Sequence, residues 1–594
     1  MPFGKQAFLC IYNLFIATDN KEEVIAMNEY QVEHLRTKDD HETLKIDNYF
    51  VHSRYSPLKE AERYIDKHYT FQHTHILFGY GAGHVHEAFK KQRKANELLI
   101  TIDPLIKTKQ LNIQKKHQQD YIFGAEMIEK LEFLLAHIDN ETRTTFTILC
   151  TSNYDKIFPN VYKALLQKIK DIQEANRVND YTIIRYADKW QENLELNLIN
   201  LTKDASLVNL KKYYDAPVII ASSGPSLTKQ LPLLNKIRKN IILISSGSTT
   251  NVLLAHGITP DFVVSMDGGE PNYKHFKDLK LTESKLVYTY QNHPGVREAF
   301  TQECFVCNNQ GFSGVDSYMA KHIPTEIPVL LGGSTVANLA FSVGQYISTG
   351  PIAFIGQDLA YTGNVTHVSG HNHSKGISKE FLEEREGFET VGYYGDKVWT
   401  SPPMYSMKLE FEKMIVLHPP VNKFYNCTEG GVKIKGYEQC TFQEFCNEFI
   451  DTNIQFKKRP TNFEACIQEA EIQQLFEHEL VQLTQCIELY EEGINVVEMN
   501  KSDERFTAKS LKKLEEIDGQ ARILLNDMLV DIILSPIVMS IINGFLPKEN
   551  ETVRQSYKRV KEQNLTLYKE SIRALEKTKS YIENAMKKLQ EVTS

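Results

Sequence analysis

The densest group of residues able to do chemistry lies in PVIIASSGPSLTKQLPLL, from Pro217 to Leu234. A buried-strand run ends in Ser222-Ser223-Gly224-Pro225-Ser226 and a helix-period segment begins at once, so these small residues sit where a strand's carboxyl end meets a helix N-terminus. Such junctions bind anions, because free backbone N–H groups and the positive end of the helix dipole point there. Gly224 lets a ligand approach the backbone, and Pro225 costs nothing in a first helical turn. The chemistry expected is phosphate or nucleotide binding; the plain alternative is a strand-to-helix turn capped by serine.

Two more clusters repeat the pattern. Ser245, Ser246, Gly247 and Ser248 end a strand and open a helix, and the next strand ends in Met266-Asp267-Gly268-Gly269-Glu270. Asp267 therefore stands at a strand's carboxyl end, where open α/β sheets place ligand-binding groups. Asp267 and Glu270 are three apart, unlike the one-residue spacing of carboxylates sharing a divalent ion, and no metal ligand is assigned. Farther on, Gly332-Gly333-Ser334-Thr335 precedes another helix with an anion-ready N-terminus. After the strand PIAFIG come Gln357, Asp358, Tyr361, Thr366, His367, His371 and His373. The His367-x3-His371 spacing suits zinc on a helix, but this segment is Gly- and Ser-rich, so a histidine acting as general base is the better reading.

These clusters need parallel strands to carry them. PVIIAS, NIILISS, DFVVSM, KLVYTY, ECFVC, IPVLL and PIAFIG alternate with helical or loop segments, which predicts a second α/β domain over 206–450. Upstream, ILF at 76, TFTILC at 145 and YTIIRY at 181 are strand candidates of a Rossmann-like domain over 1–205. Its Gly79-x-Gly81-x-Gly83, with Asp103 beyond, mimics a dinucleotide fingerprint, but the last glycine comes one residue early and His84 and His86 occupy the helix start. An accessory domain without bound cofactor is expected. Over 451–594 helical periodicity takes over: Ile472, Phe476, Leu480, Leu483, Ile487, Tyr490, Ile494 and Val497 form one stripe, and Leu565, Tyr568, Ile572, Leu575, Ile582, Met586 and Leu589 another, with Lys579 in the gap. Packing within the chain is expected for both stripes.

Composition agrees with an α/β protein of several domains. The 594 residues correspond to three to six domains at roughly 100–200 residues each. A formal charge of −8, from 76 acidic and 68 basic side chains, excludes a nucleic-acid coat, which needs a basic footprint. Nine scattered cysteines, with a lone C-x-x-C at Cys304 and Cys307, read as reduced thiols of a cytoplasmic protein. The apolar run FLCIYNLFIA after Lys5 lacks a small-x-small cleavage site, and IILSPIVMSIINGFL is interrupted by Pro536 and Asn543, so no membrane span is expected.

GPSL, GITPDFVVSMD, GSTVANLAFSVG, GQDLAYTGNVTHVSG, YYGDKVWTSPPMY and NCTEGGVKIKG occur in an order that resembles the motility accessory factor family of flagellin glycosyltransferases. VHSRYSPLKEAERYI and HILFGYGAGHVHEAF look like that family's N-terminal domain, and the resemblance covers about residues 45–440. It implies transfer of a nonulosonic acid, a sialic-acid-like sugar such as pseudaminic or legionaminic acid, from a CMP-activated donor to Ser or Thr hydroxyls of flagellin. The central domain is also similar to bacterial sialyltransferases with a G-N-G-P-S loop and no metal requirement; here both the loop's first Gly and its Asn are Ser. Gly333-Ser334-Thr335 stands where those enzymes carry a Thr-Ser-Gly turn, and Gly356 to Tyr361 resembles their Gly-x-Asp-x-Tyr segment, leaving Tyr361, Tyr393 and Tyr394 as rivals for the phosphate.

The mechanism this implies needs hydrogen-bond donors around the leaving phosphate. The N–H groups of Gly224 and Ser226, the hydroxyls of Ser334 and Thr335 and a tyrosine OH are the expected donors. His367 is the expected base, with Asp358 or Asp267 as rival or orienter. No cofactor is expected beyond the CMP-activated donor. Two rival functions stand beside this one. Archaeal 6-hydroxymethyl-dihydropterin diphosphokinases resemble the same central domain, and a non-catalytic flagellin-binding factor would use the helical region alone.

Overall fold

The computed structural model describes residues 30–71, 73–93, 97–106, 120–131, 134–135, 145–309, 313–333, 335–371, 374–417, 423–456, 463–502, 504–548 and 551–593. The apolar run after Lys5, Ser334 and His373 lie outside them. The chain forms two compact units that divide between Arg185 and Tyr186.

The first unit opens with an antiparallel meander, β1 (Val32–Arg36), β2 (Glu42–Ile46) and β3 (Tyr49–Phe50). It continues through α1 (Pro57–His68), β4 (Thr74–Phe78), α2 (His84–Gln92), β5 (Leu99–Asp103), β6 (Asp120–Gly124) and β7 (Phe146–Cys150). Strands β4 to β7 form a parallel sheet in the order β6-β5-β4-β7. Their run of buried residues, complete in β4 and β5, is what a sheet covered on both faces requires. One strand candidate is corrected. YTIIRY at 181 lies inside α3 (Pro159–Asn200), a 42-residue helix whose only proline is at its first position and which contains no glycine. Without a breaker, the β-branched triplet Thr182, Ile183 and Ile184 follows the helix formers around it, and Tyr181 and Ile184 stay exposed.

The second unit is built on one nine-stranded, wholly parallel sheet. Its strands are β8 (Ala205–Ser206), β9 (Val218–Ala221), β10 (Ile242–Ser246), β11 (Phe262–Ser265), β12 (Lys285–Tyr288), β13 (Phe305–Val306), β16 (Ile352–Ile355), β19 (Phe424–Asn426) and β20 (Glu438–Gln439). They lie in the order β20-β19-β16-β9-β10-β11-β12-β13-β8. Two small pairs stand outside it: β14 (Asn308–Asn309) with β15 (Val329–Leu330), and β17 (Phe388–Val391) with β18 (Lys397–Thr400). The connecting helices are α4 (Leu227–Ile237), α5 (Gly247–Ala255), α6 (Ser313–His322), α7 (Val336–Ile347), α8 (Pro402–Leu417) and α9 (Phe442–Phe449). Alternate residues of each strand feed opposite faces: Val218, Ile220, Ile242 and Ile244 pack with α7 on one side, Ile219, Ala221 and Leu243 with α4 and α5 on the other. The C-x-x-C obeys the same rule. Cys304 and Cys307 enter different cores, and burial pushes both thiols up to about 12.

The last region is helical: α10 (Glu469–Glu498), α11 (Ala508–Leu525), α12 (Asp531–Gly544) and α13 (Val553–Thr593). Helices α10 and α13 pair antiparallel, with Tyr490 stacked on Tyr568 at 5.2 Å and Lys579 Nζ donating to Thr484 Oγ1 at 3.2 Å. The gap in the second stripe is thus filled by a cation that reaches a hydroxyl. Leu483, Tyr568 and Leu575 share one core with Leu286, Tyr288 and Val306 of the sheet. Among the described residues no helix is long and apolar enough to cross a membrane.

Candidate functional site at the sheet's switch point

Strands β9 to β13 are laid down in one direction from β9, while β16, β19 and β20 are laid down in the other. The direction reverses between β9 and β16, which pair from Val218↔Ile352 to Ala221↔Ile355. In an open parallel sheet the loops at the carboxyl ends of two such strands diverge and leave a crevice for ligand. Here those loops are Ser222–Ser226 and Gly356–Tyr361, which hold half of the candidate residues. Ser246 and Gly247 follow the neighbouring β10 and Asp267 follows β11, so all of them share one sheet edge.

The two loops are tied together more fully than the sequence suggests. Ser222 N–H donates to Ile355 O at 3.0 Å and Gly224 N–H to Gly356 O at 2.9 Å. Ser226 donates to Asp358 through its N–H at 3.2 Å and its hydroxyl at 2.6 Å. The expectation that the Gly224 and Ser226 N–H groups face a donor phosphate is therefore corrected: both are spent inside the protein. Helix α4 starts at Leu227, which leaves Pro225 in the loop before it. A methyl on Gly224 would overlap the Asp358 carboxylate and the Gly356 carbonyl, so glycine here is required by close approach of protein to protein. Asp358 is 2% exposed, and burial raises its carboxyl above the ordinary range against the pull of the Ser226 hydrogen bonds. Gln357 takes the Ser222 hydroxyl on its side-chain oxygen and donates its N–H to Thr428 Oγ1 at 3.1 Å.

Tyr361, at the end of the second loop, and His367 line a cleft of about 680 Å³ whose walls include Lys375, Arg385, Glu384, Glu386, Met404 and Met407. The Tyr361 ring meets Phe381 edge-on at 5.6 Å. His367 lies flat on His371, with centroids 4.3 Å apart and planes 4° from parallel. Parallel imidazoles send their lone pairs along parallel planes, a geometry that does not converge on one zinc ion. Of the three rival tyrosines, Tyr361 lines the cleft. The Tyr393 hydroxyl is buried within hydrogen-bond reach of Asn426 O and Cys440 O, and Tyr394 donates to Glu429 O at 3.2 Å.

The remaining candidates have local duties. Asp267 is exposed and accepts from Gly269 N–H at 2.9 Å. Ser246 caps no helical N–H, and its hydroxyl meets Thr249 Oγ1 at 3.1 Å. Gly247 packs under the Phe276 ring. Thr335 caps α7, accepting from Asn338 N–H and donating to Asn338 Oδ1 at 2.6 Å, while Gly333 before it takes φ +55°. The Thr335 hydroxyl is thus engaged in its own helix rather than offered as an expected phosphate donor.

Three positioning residues were missed by motif. Gln230, 2% exposed, accepts from Gly356 N–H at 3.0 Å and donates to Cys427 O and to Thr428 O, holding β16 and β19 to α4. Asn193 and Asn197 on α3 each donate to two carbonyls in the segments after β11 and β12: Gly268 and Gln291, Tyr290 and Asn292. The signal was present in Gln230, a polar residue amid Leu227, Leu231 and Leu234.

In the first unit the glycine loop after β4 also lies at a reversal, between β4 and β7. Its N–H groups are occupied. Tyr80 donates to Asp103 Oδ2 at 2.6 Å, Gly81 to the Tyr154 hydroxyl at 3.2 Å and Ala82 to His52 Nε2 at 2.9 Å. The Tyr154 ring fills the space over Gly79. Burial drives His52 down to about 3, which keeps it neutral and an acceptor.

Fold and site together define an open, doubly wound α/β protein with its crevice at the switch point. Residues 192–364 match the family model "6-hydroxymethylpterin diphosphokinase MptE-like". In fold the chain is similar to the solved MAf glycosyltransferase from Magnetospirillum magneticum AMB-1, with a TM-score of 0.52 and 13% identity over 98% of this chain and 96% of that one. No curated protein matches the sequence.

Proposed function

We propose that the protein is a cytoplasmic glycosyltransferase that moves a nonulosonic acid from a CMP-activated donor to Ser or Thr hydroxyls of flagellin. The observation that carries this reading is the fold likeness to a glycosyltransferase over 98% of the chain, a span that includes the long helical region a small acceptor would not need. The ordered motifs from GPSL to NCTEGGVKIKG support the choice of donor and acceptor.

The site's own residues divide the work. Asp358, Gln357 and Gln230 hold the switch-point loops rigid, which keeps donors aimed without reorganisation as charge develops. Ser223 and the start of α5 receive the CMP phosphate, and Tyr361 donates toward it from the cleft wall. His367, steadied by its stack on His371, takes the proton of the acceptor hydroxyl. Lys375 and Arg385 offer cations to an anionic sugar on a cleft wall that also carries Glu384 and Glu386.

The test is incubation with CMP-pseudaminic or CMP-legionaminic acid, flagellin and EDTA, followed by intact-mass analysis of flagellin. A sugar-sized increment supports the transferase. Binding of flagellin without an increment under any condition points to a non-catalytic partner. The match over 192–364 favours a second reading, diphosphate transfer from ATP to a hydroxymethylpterin; AMP release dependent on that pterin and Mg²⁺ would establish it.

A further inference from the structure

Strands β19 and β20 run parallel with Tyr425 opposite Glu438 and Asn426 opposite Gln439. One step further, Cys427 leaves β19 as Cys440 leaves β20, and their sulfurs lie 3.6 Å apart. Adjacent strands are about 4.8 Å apart, inside the Cα separation of about 4.4–6.8 Å that a disulfide spans. The pair is asymmetric. Cys427 is fully buried, whereas Cys440 is partly exposed at the sheet's last strand. The two sulfurs share one S–H···S contact, and this contact holds Cys440 below the ordinary thiol range and drives Cys427 above it. An accessible sulfur facing a buried second sulfur at 3.6 Å is the arrangement of an attacking and a resolving thiol.

We infer that Cys440 and Cys427 are a modification site, a thiol pair that closes reversibly to a disulfide on exposure to a low-molecular-weight disulfide. In the first step the Cys440 thiolate attacks one sulfur of the oxidant, forming a mixed disulfide and releasing one oxidant half as a thiolate. In the second the Cys427 sulfur attacks Cys440 Sγ, the protein disulfide forms and the other half leaves. Two protein thiols lose two electrons and two protons, and the oxidant becomes two small thiols. A third thiol, Cys446 on α9, lies in the same core near both sulfurs, but burial and the neighbouring Cys440 push it up to about 12.

The pair stands directly behind the switch-point loops. Gln230 donates to Cys427 O, and the next residue, Thr428, holds the Gln357 N–H. Closing the sulfurs from 3.6 Å to bonding distance therefore changes side-chain geometry right beside that anchor. The covalent step itself does not rest on the glycosyltransferase reading, because it is read by mass.

The experiment treats the full-length protein with oxidised glutathione in mildly alkaline buffer, quenches with an alkylating agent and maps peptides by mass spectrometry. The expected product has lost two hydrogens, with Cys427 joined to Cys440, and dithiothreitol restores the starting mass. Cys440→Ser and Cys427→Ser each lose this product entirely, and Cys446→Ser retains it. A glutathione adduct on Cys440 that never resolves, a bridge from Cys440 to Cys446, or unchanged thiols in the wild-type protein would each overturn the inference.

Discussion

Asp358 accepts from both the backbone N–H and the hydroxyl of Ser226, and so fastens the loop after β16 to the loop after β9 across the switch point. The carboxylate is 2% exposed, so each of these bonds is made by a group that has given up its water. A hydrogen bond to a buried charge is worth about 1.5–3 kcal/mol. Ser226→Ala is expected to cost about that much stability and to weaken CMP-sugar binding, because the crevice loops then part. Thermal unfolding with and without CMP measures both. Unchanged stability would show that the hydroxyl is not fastening the loop.

His367→Ala should lower turnover by about 10²- to 10⁴-fold, the contribution of a general base, while donor affinity changes little. His371→Ala removes only the supporting ring and should leave a smaller defect. Single-turnover transfer and CMP-sugar titration separate the two effects; near-normal turnover in the His367 variant would remove it from the base role.

Glu479 on α10 and Glu195 on α3 are both fully buried, and burial followed by mutual repulsion raises Glu195 well above the ordinary range. Glu479, also raised chiefly by burial, reaches about 7 in the folded protein against a reference of 4.5. The folded state then holds a proton that the unfolded chain releases. The Glu479 contribution to stability is greatest below the unfolded value, falls as pH rises toward about 7 and levels off above it. Glu479→Gln should flatten this slope and gain on the order of 3 kcal/mol at most above neutrality. Urea unfolding of both proteins across that window checks it, and parallel curves would contradict it.

Gly79 adopts φ +91° beneath the Tyr154 ring, so Gly79→Ala adds both backbone strain and a methyl where the ring sits. A loss of about 1–3 kcal/mol is expected. Limited proteolysis should show it in residues 30–185 before 186–594. Tyr154→Phe, which removes the hydroxyl bonded to Asp103 and Gly81, should act in the same direction and more mildly.

Strands β9 to β13 and β16 were readable because each is a short apolar run ending in small or polar residues, as in PVIIASSG and NIILISSG, whereas β8, β19 and β20, only two or three residues long, carry no such run and were not foreseen. The switch point was not readable. Strand order depends on which strands meet in space, and nothing in PIAFIG says that it lies beside PVIIAS. For the same reason the sequence placed Ser222–Ser226 and Asp358 in one site without revealing that they would satisfy each other. Tyr361 and His367 were found by type and now share a cleft, whereas Arg385 and Lys375 belong to no motif and emerge only from packing. YTIIRY failed because local β preference is weaker than an uninterrupted helix.

The core that Leu483, Tyr568 and Leu575 share with Leu286, Tyr288 and Val306 has a practical corollary for anyone shortening the chain. A fragment ending near residue 450 would keep every strand and every loop of the crevice, yet expose the part of that core which α10 to α13 fill. Such a surface invites association with other copies rather than independent folding. The helices are therefore the sheet's roof as well as an outer surface. A substitution made there to alter what docks outside will be felt by the strands beneath.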